Sequence, residues 1–161
     1  MTNLEFLLAR RKAEIPTFVR VIKALPEGRL DYRHDPKGRT AADLAWLLAY
    51  EEETLVSMLE TGTIDWKDRA APKTAAEIAA AYERNAAAVN ARLETLDPAA
   101  WAKPAKFVVD GASVWESPTG EMLWGFLFDA IHHRGQLCTY LRPMGGKVPS
   151  IYGPSADDAG Q

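Results

Sequence analysis

Three ionisable side chains fall where a helix would turn them inward. Asp129 and His133 stand at i and i+4 in a run with Met122, Phe126, Leu137 and Tyr140. At about 100° per residue all six share one helical face, so a carboxylate and an imidazole can reach a common point. Glu51 falls between Leu47, Leu48 and Leu55, on the apolar side of another helical segment. Burying such groups costs free energy unless they are paired. In one solution Asp129 and His133 form a satisfied internal pair, and Glu51 bonds a buried hydroxyl or an arginine such as Arg11, which also projects onto the apolar side of its helix. In the other, the three converge on a divalent cation, as facing helices of a bundle do. His132 lies on the flank of the stripe. Glu52 and Glu53 read as a solvent-facing charged pair.

Other chemistries are weaker. Cys138 is the one cysteine; five positions after His133 it points away from that ring and reads as a buried, inert thiol. It excludes an internal disulfide and a cysteine-rich zinc cluster. His34, beside Asp35 and Pro36, reads as a solvated loop histidine. No glycine-rich phosphate loop follows a strand, and there is no strand–turn–helix with a nucleophilic serine.

Four amphipathic helices must position these groups. The first spans about Asn3 to Leu25, with Leu4, Leu8, Ile15, Phe18, Val19 and Ile22 on its stripe and a kink expected at Pro16. A loop from Pro26 to Arg39 follows. The second helix starts at a Thr40/Asp43 cap and ends near Thr61 and Gly62. Thr63 to Lys73 reads as a polar connection. The third opens on a Thr74/Glu77 capping box, and Asp97–Pro98 starts a short extra turn. Lys106 to Trp115 reads as a small hairpin or extended loop, with Asp110–Gly111 at its turn. The fourth helix is expected from Ser117 as N-cap and Pro118 at its first position to about Arg142. The tail, about 147–161, reads as irregular. The fold class is therefore all-α, a four-helix bundle in one domain over 1–161.

At 161 residues, with 25% charged and 47% hydrophobic side chains, the chain is sized and composed as one globular domain. A net charge of −3 without a basic run argues against nucleic acid or an anionic membrane as partner. The longest apolar stretch, Leu44 to Tyr50, is too short to span a bilayer. Charged residues near Met1 break any signal peptide, so a cytoplasmic location is expected.

The segment Asp129 to Leu137, DAIHHRGQL, resembles the DinB-like family of bacterial four-helix bundles. Tyr140, Leu141, Arg142, Gly145, Val148 and Pro149 fit the same pattern, as do Leu30 to Tyr32 and Thr40 to Trp46. The resemblance implies a homodimer and a divalent metal held by three histidines, one on the second helix and two at i and i+4 on the fourth. His133 matches the last of these. Asp129 stands at its partner position and Leu47 at the second-helix position, so the three-histidine set is not intact. A remnant of Glu51, Asp129 and His133 would take zinc, nickel or manganese, with a shift towards harder ions. Characterised relatives imply thiol S-transfer or thiol-dependent isomerisation, with a small thiol and an electrophile as ligands and Tyr140 as a pocket polar group. The rival is a non-catalytic dimeric binding or stress-response protein whose metal pocket has become a hydrogen-bonded core. Trp46, Trp124 and Phe128, off the inward stripes, are the expected dimer contacts.

Overall fold

A computed structural model describes residues 1–160. Four helices make up most of it: α1 (Asn3–Lys23), α2 (Ala41–Thr61), α3 (Ala75–Glu94) and α4 (Thr119–Leu141). Their starts follow from local chemistry. Reciprocal capping boxes, Thr2 with Glu5 and Thr74 with Glu77, tie down the first amides of α1 and α3. At α2 the Thr40 hydroxyl accepts from the Asp43 amide, and Gly62, at φ 76°, ends the helix in the left-handed conformation that glycine allows. The α1 helix runs on through Pro16, which faces solvent.

The all-α expectation needs correction, because a small three-stranded sheet flanks the helices. Strand β1 (Thr63–Trp66) follows α2 directly, within the stretch read as a polar connection. It pairs in parallel with β2 (Pro104–Val109), which pairs antiparallel with β3 (Ala112–Pro118). The hairpin turn is Asp110–Gly111, with φ of 49° and 81°, the positive pair that a two-residue turn of this hand requires. Phe107 pairs with Trp115 and Val108 with Ser113, so Val114 is an inserted residue and the strand is bulged there. Ser117 and Pro118 belong to this strand. Pro118, not Ser117, takes the N-cap position of α4, which begins at Thr119 with no side-chain cap bond.

One apolar cluster gathers Phe18, Ile22, Leu48, Ile78, Tyr82 and Leu141 from the four helices. A second joins Leu7, Leu55, Leu93 and Met122 to Ile64 of β1 and Ala105 of β2. On α1 it is Leu7 that is fully buried, while Leu4 and Leu8 are half-buried at the flanks of the stripe.

Two charged networks share this interior. Arg11, 1% exposed, donates two bonds to the Glu52 carboxylate, at 3.1 and 2.5 Å, and a third to Asn90 Oδ1 at 2.9 Å. Glu52, expected in solvent, is thus buried. Arg11 enters from the facing helix, and a carboxylate flank on α2 becomes an interior ion pair. In the second network Arg134 bonds Glu14 and Thr17, and the Tyr152 hydroxyl in the tail donates to Glu14. The tail from Lys147 to Gly160 carries no helix or strand. No helix among the described residues is long and apolar enough to cross a membrane.

Removing one partner of a buried pair strands the other. Arg11→Leu should lower the unfolding free energy by about 3 kcal/mol or more. The double variant Arg11→Leu/Glu52→Leu should recover most of it, since no unpaired charge then remains. Urea denaturation of the three proteins measures the coupling, and simple additivity would show that the pair is not coupled.

Candidate functional site

The structure brings Glu51, Asp129 and His133 together. One donor atom from each lies within 4.8 Å of the other two, across the α2–α4 contact. Their burial differs. Glu51 is 5% exposed, whereas the Asp129 side chain is 52% exposed and that of His133 18%. Asp129 was expected deep in the apolar stripe. It lies instead at the mouth of a cleft, because the sheet stands off from α4 at this level and leaves room beside Phe126.

That room is a cavity of about 480 Å³, with the three residues on one side and an aromatic wall on the other. The wall is a chain of rings: Tyr50 on Trp66 at 4.7 Å, Trp66 on Phe107 at 5.7 Å, Phe107 on Phe126 at 6.0 Å, and Phe126 stacked on Trp115 at 6.1 Å. Trp115 lies directly on the α4 backbone; a Cβ at Gly125 would come within 2.6 Å of its ring. Leu47 lines the same cavity one turn before Glu51.

The three donors face one another with no arginine or lysine between them. Asp129 Oδ2 is 3.2 Å from His133 Nε2. His133 Nδ1 is 2.8 Å from Gln136 Oε1, and the Gln136 amide nitrogen is 2.9 Å from His132 Nε2. This network assigns the His133 proton to Nδ1, donating to Gln136. In the neutral ring the Nε2 lone pair then faces the carboxylates; in the doubly protonated ring Nε2 donates to Asp129. Glu51 Oε2 is sealed from solvent and has no hydrogen-bond partner. Burial pushes the Glu51 carboxyl well above the usual carboxylate range, and the nearby Asp129 adds to the rise; Arg39 opposes it. Two carboxylates and an imidazole lone pair converging with nothing positive between them fit a divalent cation of the N/O-preferring kind.

Other singled-out residues serve different ends. The Tyr140 hydroxyl donates to Arg39 O at 3.1 Å and anchors the loop that enters α2. His34 is held between the Tyr32 hydroxyl and Thr139. Cys138 is half-buried, and burial raises its thiol pKa, the opposite of an activated nucleophile. Trp46 stacks near Tyr50, with its Nε1 buried and unpartnered. The sequence reading missed Arg39, Trp66, Phe107 and Trp115 as cleft residues. Their one signal was the concentration of aromatics in stretches too short to show a period.

A DinB family model matches residues 2–160. The chain belongs to the DinB family. Among solved structures it is similar to a DinB-like protein from Bacillus cereus, at 22% identity and a TM-score of 0.76, covering 92% of this chain and 97% of that one. A DinB-like protein from Bacillus subtilis follows, at 13% identity and a TM-score of 0.68, covering 94% and 97%. A mutant mycothiol-dependent maleylpyruvate isomerase matches at 15% identity and a TM-score of 0.53, over 91% of this chain but 62% of that one. These likenesses establish the DinB fold. No curated protein matches the sequence.

The Glu51 environment has a consequence for stability. Its folded-state pKa lies above the ordinary value of 4.5, so the folded chain holds this proton more tightly than the unfolded chain. That stabilisation is complete below the unfolded value and is lost as pH rises through the folded one. In chelator, Glu51→Gln should therefore be more stable than the wild type at about pH 8, with the difference closing towards about pH 4.5. Urea melts across that range test it; a Glu51→Gln protein less stable at the alkaline end would contradict the assignment.

Proposed function

We propose that this DinB protein is a metal-dependent enzyme of the thiol S-transferase type, with Glu51, Asp129 and His133 as ligands of a divalent ion. The observation that carries the reading is the Glu51 carboxylate, buried without a donor and facing Asp129 and the free Nε2 of His133 at the edge of an open cleft. No arginine, lysine or hydroxyl donates to Glu51, so only its own proton, shared with Asp129, or a bound cation can offset the two carboxylates. The fold shared with a mycothiol-dependent isomerase supports thiol chemistry at the level of architecture.

Each residue has a defined part. Gln136 fixes the His133 tautomer, keeping Nε2 unprotonated towards the cleft. Burial holds a proton on Glu51 to higher pH than on an ordinary carboxyl, and a bound cation would displace it, so binding should release protons and weaken as pH falls. Trp66, Phe107 and Trp115 keep water off one side of the cluster. When bound, the ion supplies Lewis acidity that favours the thiolate of a small thiol over the thiol.

Calorimetric titration of tag-free protein with manganese, zinc and nickel tests this. Stoichiometric binding with proton release, lost in His133→Ala and weakened in Asp129→Asn, is the expected result. The ion should also raise the wild-type melting temperature by linkage while leaving Asp129→Asn nearly unchanged. Absence of binding at micromolar metal would overturn the metal-dependent reading.

A homodimer is also proposed, through the face where Phe6, Trp124 and Phe128 form an aromatic row. Phe6 is 46% and Phe128 61% exposed, and Trp124 lies 5.7 and 5.5 Å from their rings. Trp46, wedged against Tyr50 in the cleft region, contributes less. Light scattering at low micromolar concentration should give a mass near two chains, falling to one in Phe128→Glu; a one-chain mass for the wild type rules the dimer out.

A further inference from the structure

Three concavities meet along the α2–α4 face, and one residue, Arg39, lines all of them. The first extends towards Trp46 and Tyr50 and also holds Asp43, Asp68 and Arg69. The second is the aromatic cleft of Glu51, Asp129 and His133. The third runs past His133 to His34 and Tyr140. Arg39 immediately precedes the Thr40 cap of α2, and its backbone is held by the Tyr140 hydroxyl. The residue is exposed, and its guanidinium makes no ion pair or hydrogen bond among the described residues.

Among the arginines that line these cavities, that isolation is particular to Arg39. The other arginine of these cavities, Arg69, is bonded to Glu53 at 2.6 Å and lies over the Tyr50 ring at 5.0 Å. Arg11, Arg92, Arg134 and Arg142 each hold a carboxylate. Asp43 and Asp68 share only the first concavity with Arg39, and Asp43 already accepts from Thr40 at 2.6 Å. In the two concavities that reach His133, Arg39 is the single arginine or lysine among the lining residues.

We propose that Arg39 anchors the carboxylate of a small, flat, singly charged ligand whose body lies against Trp66, Phe107 and Trp115 and whose reactive end reaches Glu51, Asp129 and His133. The proposal deepens the reading of this cleft as a reaction site and rests on it. A planar guanidinium fork matches a carboxylate bidentately. One uncompensated positive charge suits a monoanion, whereas a phosphate, with nearly two charges, would face Asp129, Asp43 and Asp68 with a single arginine to balance it. The aromatic wall favours a planar apolar body over a sugar or a flexible chain. Arg39 is thus a positioning residue that selects charge. The carboxylate can belong to either ligand of a thiol-transfer reaction, the electrophile or the thiol.

Calorimetric binding of matched probes separates these. Cinnamate is compared with cinnamamide for the electrophile, and mercaptoacetate with 2-mercaptoethanol for the thiol. Both pairs are titrated into wild type, Arg39→Gln and Arg39→Lys, in chelator and again with manganese. The expected result is a carboxylate advantage of roughly tenfold or more in chelator for at least one pair. It should vanish in Arg39→Gln and be partly kept in Arg39→Lys, with unchanged melting temperatures. The responding pair identifies the source of the carboxylate. No advantage in either pair, or one that survives Arg39→Gln, overturns the proposal. An advantage that needs manganese and ignores Arg39 overturns it while leaving the metal reading intact. An Arg39-dependent advantage in a protein that binds no metal keeps the anchor and removes the metal.

Discussion

Two neighbouring carboxylates on α2 are both withdrawn from water, and the rest of the molecule is arranged around the difference between them. Glu52 is met by Arg11 from α1 and shares that arginine with Asn90 of α3, so its charge is neutralised and its oxygens are bonded. Glu51, the next residue, turns about 100° away and meets Asp129 and the lone pair of His133 on α4. An isolated buried charge is expensive enough that a protein normally pairs it or neutralises it by protonation. The bundle does the first for Glu52 and leaves the second to Glu51. One carboxylate thus meets an arginine while its neighbour meets a second carboxylate, and the cation proposed above would replace the proton that otherwise neutralises Glu51.

The sheet gives that site its shape. Four helices alone would close over Glu51, as they close over Tyr82 and Leu48 elsewhere in the core. Here β1 leaves the end of α2 at Gly62 and pairs with β2, and the β2–β3 hairpin carries Phe107 and Trp115 over α4. The bulge at Val114 lets Trp115 sit opposite Phe107, and Gly125 lets its indole lie on the helix backbone. The result is a rigid apolar wall facing a polar edge. That division suits a small ligand with one reactive end.

How much of this was legible follows from how local each signal is. The Thr40 and Thr74 caps, the Asp97–Pro98 turn and the Asp110–Gly111 hairpin are encoded within a few residues, and all four were readable. The convergence of Glu51, Asp129 and His133 could be anticipated because helical periodicity turned each inward. Three features were not readable for one common reason. The parallel pairing of Thr63–Trp66 with Lys106–Val109 joins segments some forty positions apart, and the first is too short to show alternation. The burial of Glu52 depends on Arg11 arriving from another helix. The exposure of Asp129 depends on the sheet holding the cleft open.

Position 47 shows how the site differs from the pattern its family implies. Leu47 is 8% exposed and forms part of the cleft lining, where a ligating side chain would otherwise project. The same face of α2 presents the Glu51 carboxylate one turn later, towards Asp129 and His133 of α4. Under the metal site proposed above, the difference from the three-histidine set that the resemblance implies is one of charge. With a neutral histidine the α2 ligand adds nothing to the net charge of the donor set; with Glu51 the set carries two carboxylates, enough to neutralise a divalent ion. An ion neutralised in this way is a weaker Lewis acid, and it repels a second anionic ligand less than it would if the donors were in excess. Arg39, free of any partner beside this set, then becomes the nearest net positive charge to an incoming ligand. Under that proposal Glu51 and the unpaired Arg39 act on the same property, the sign of the field at the mouth of the cleft.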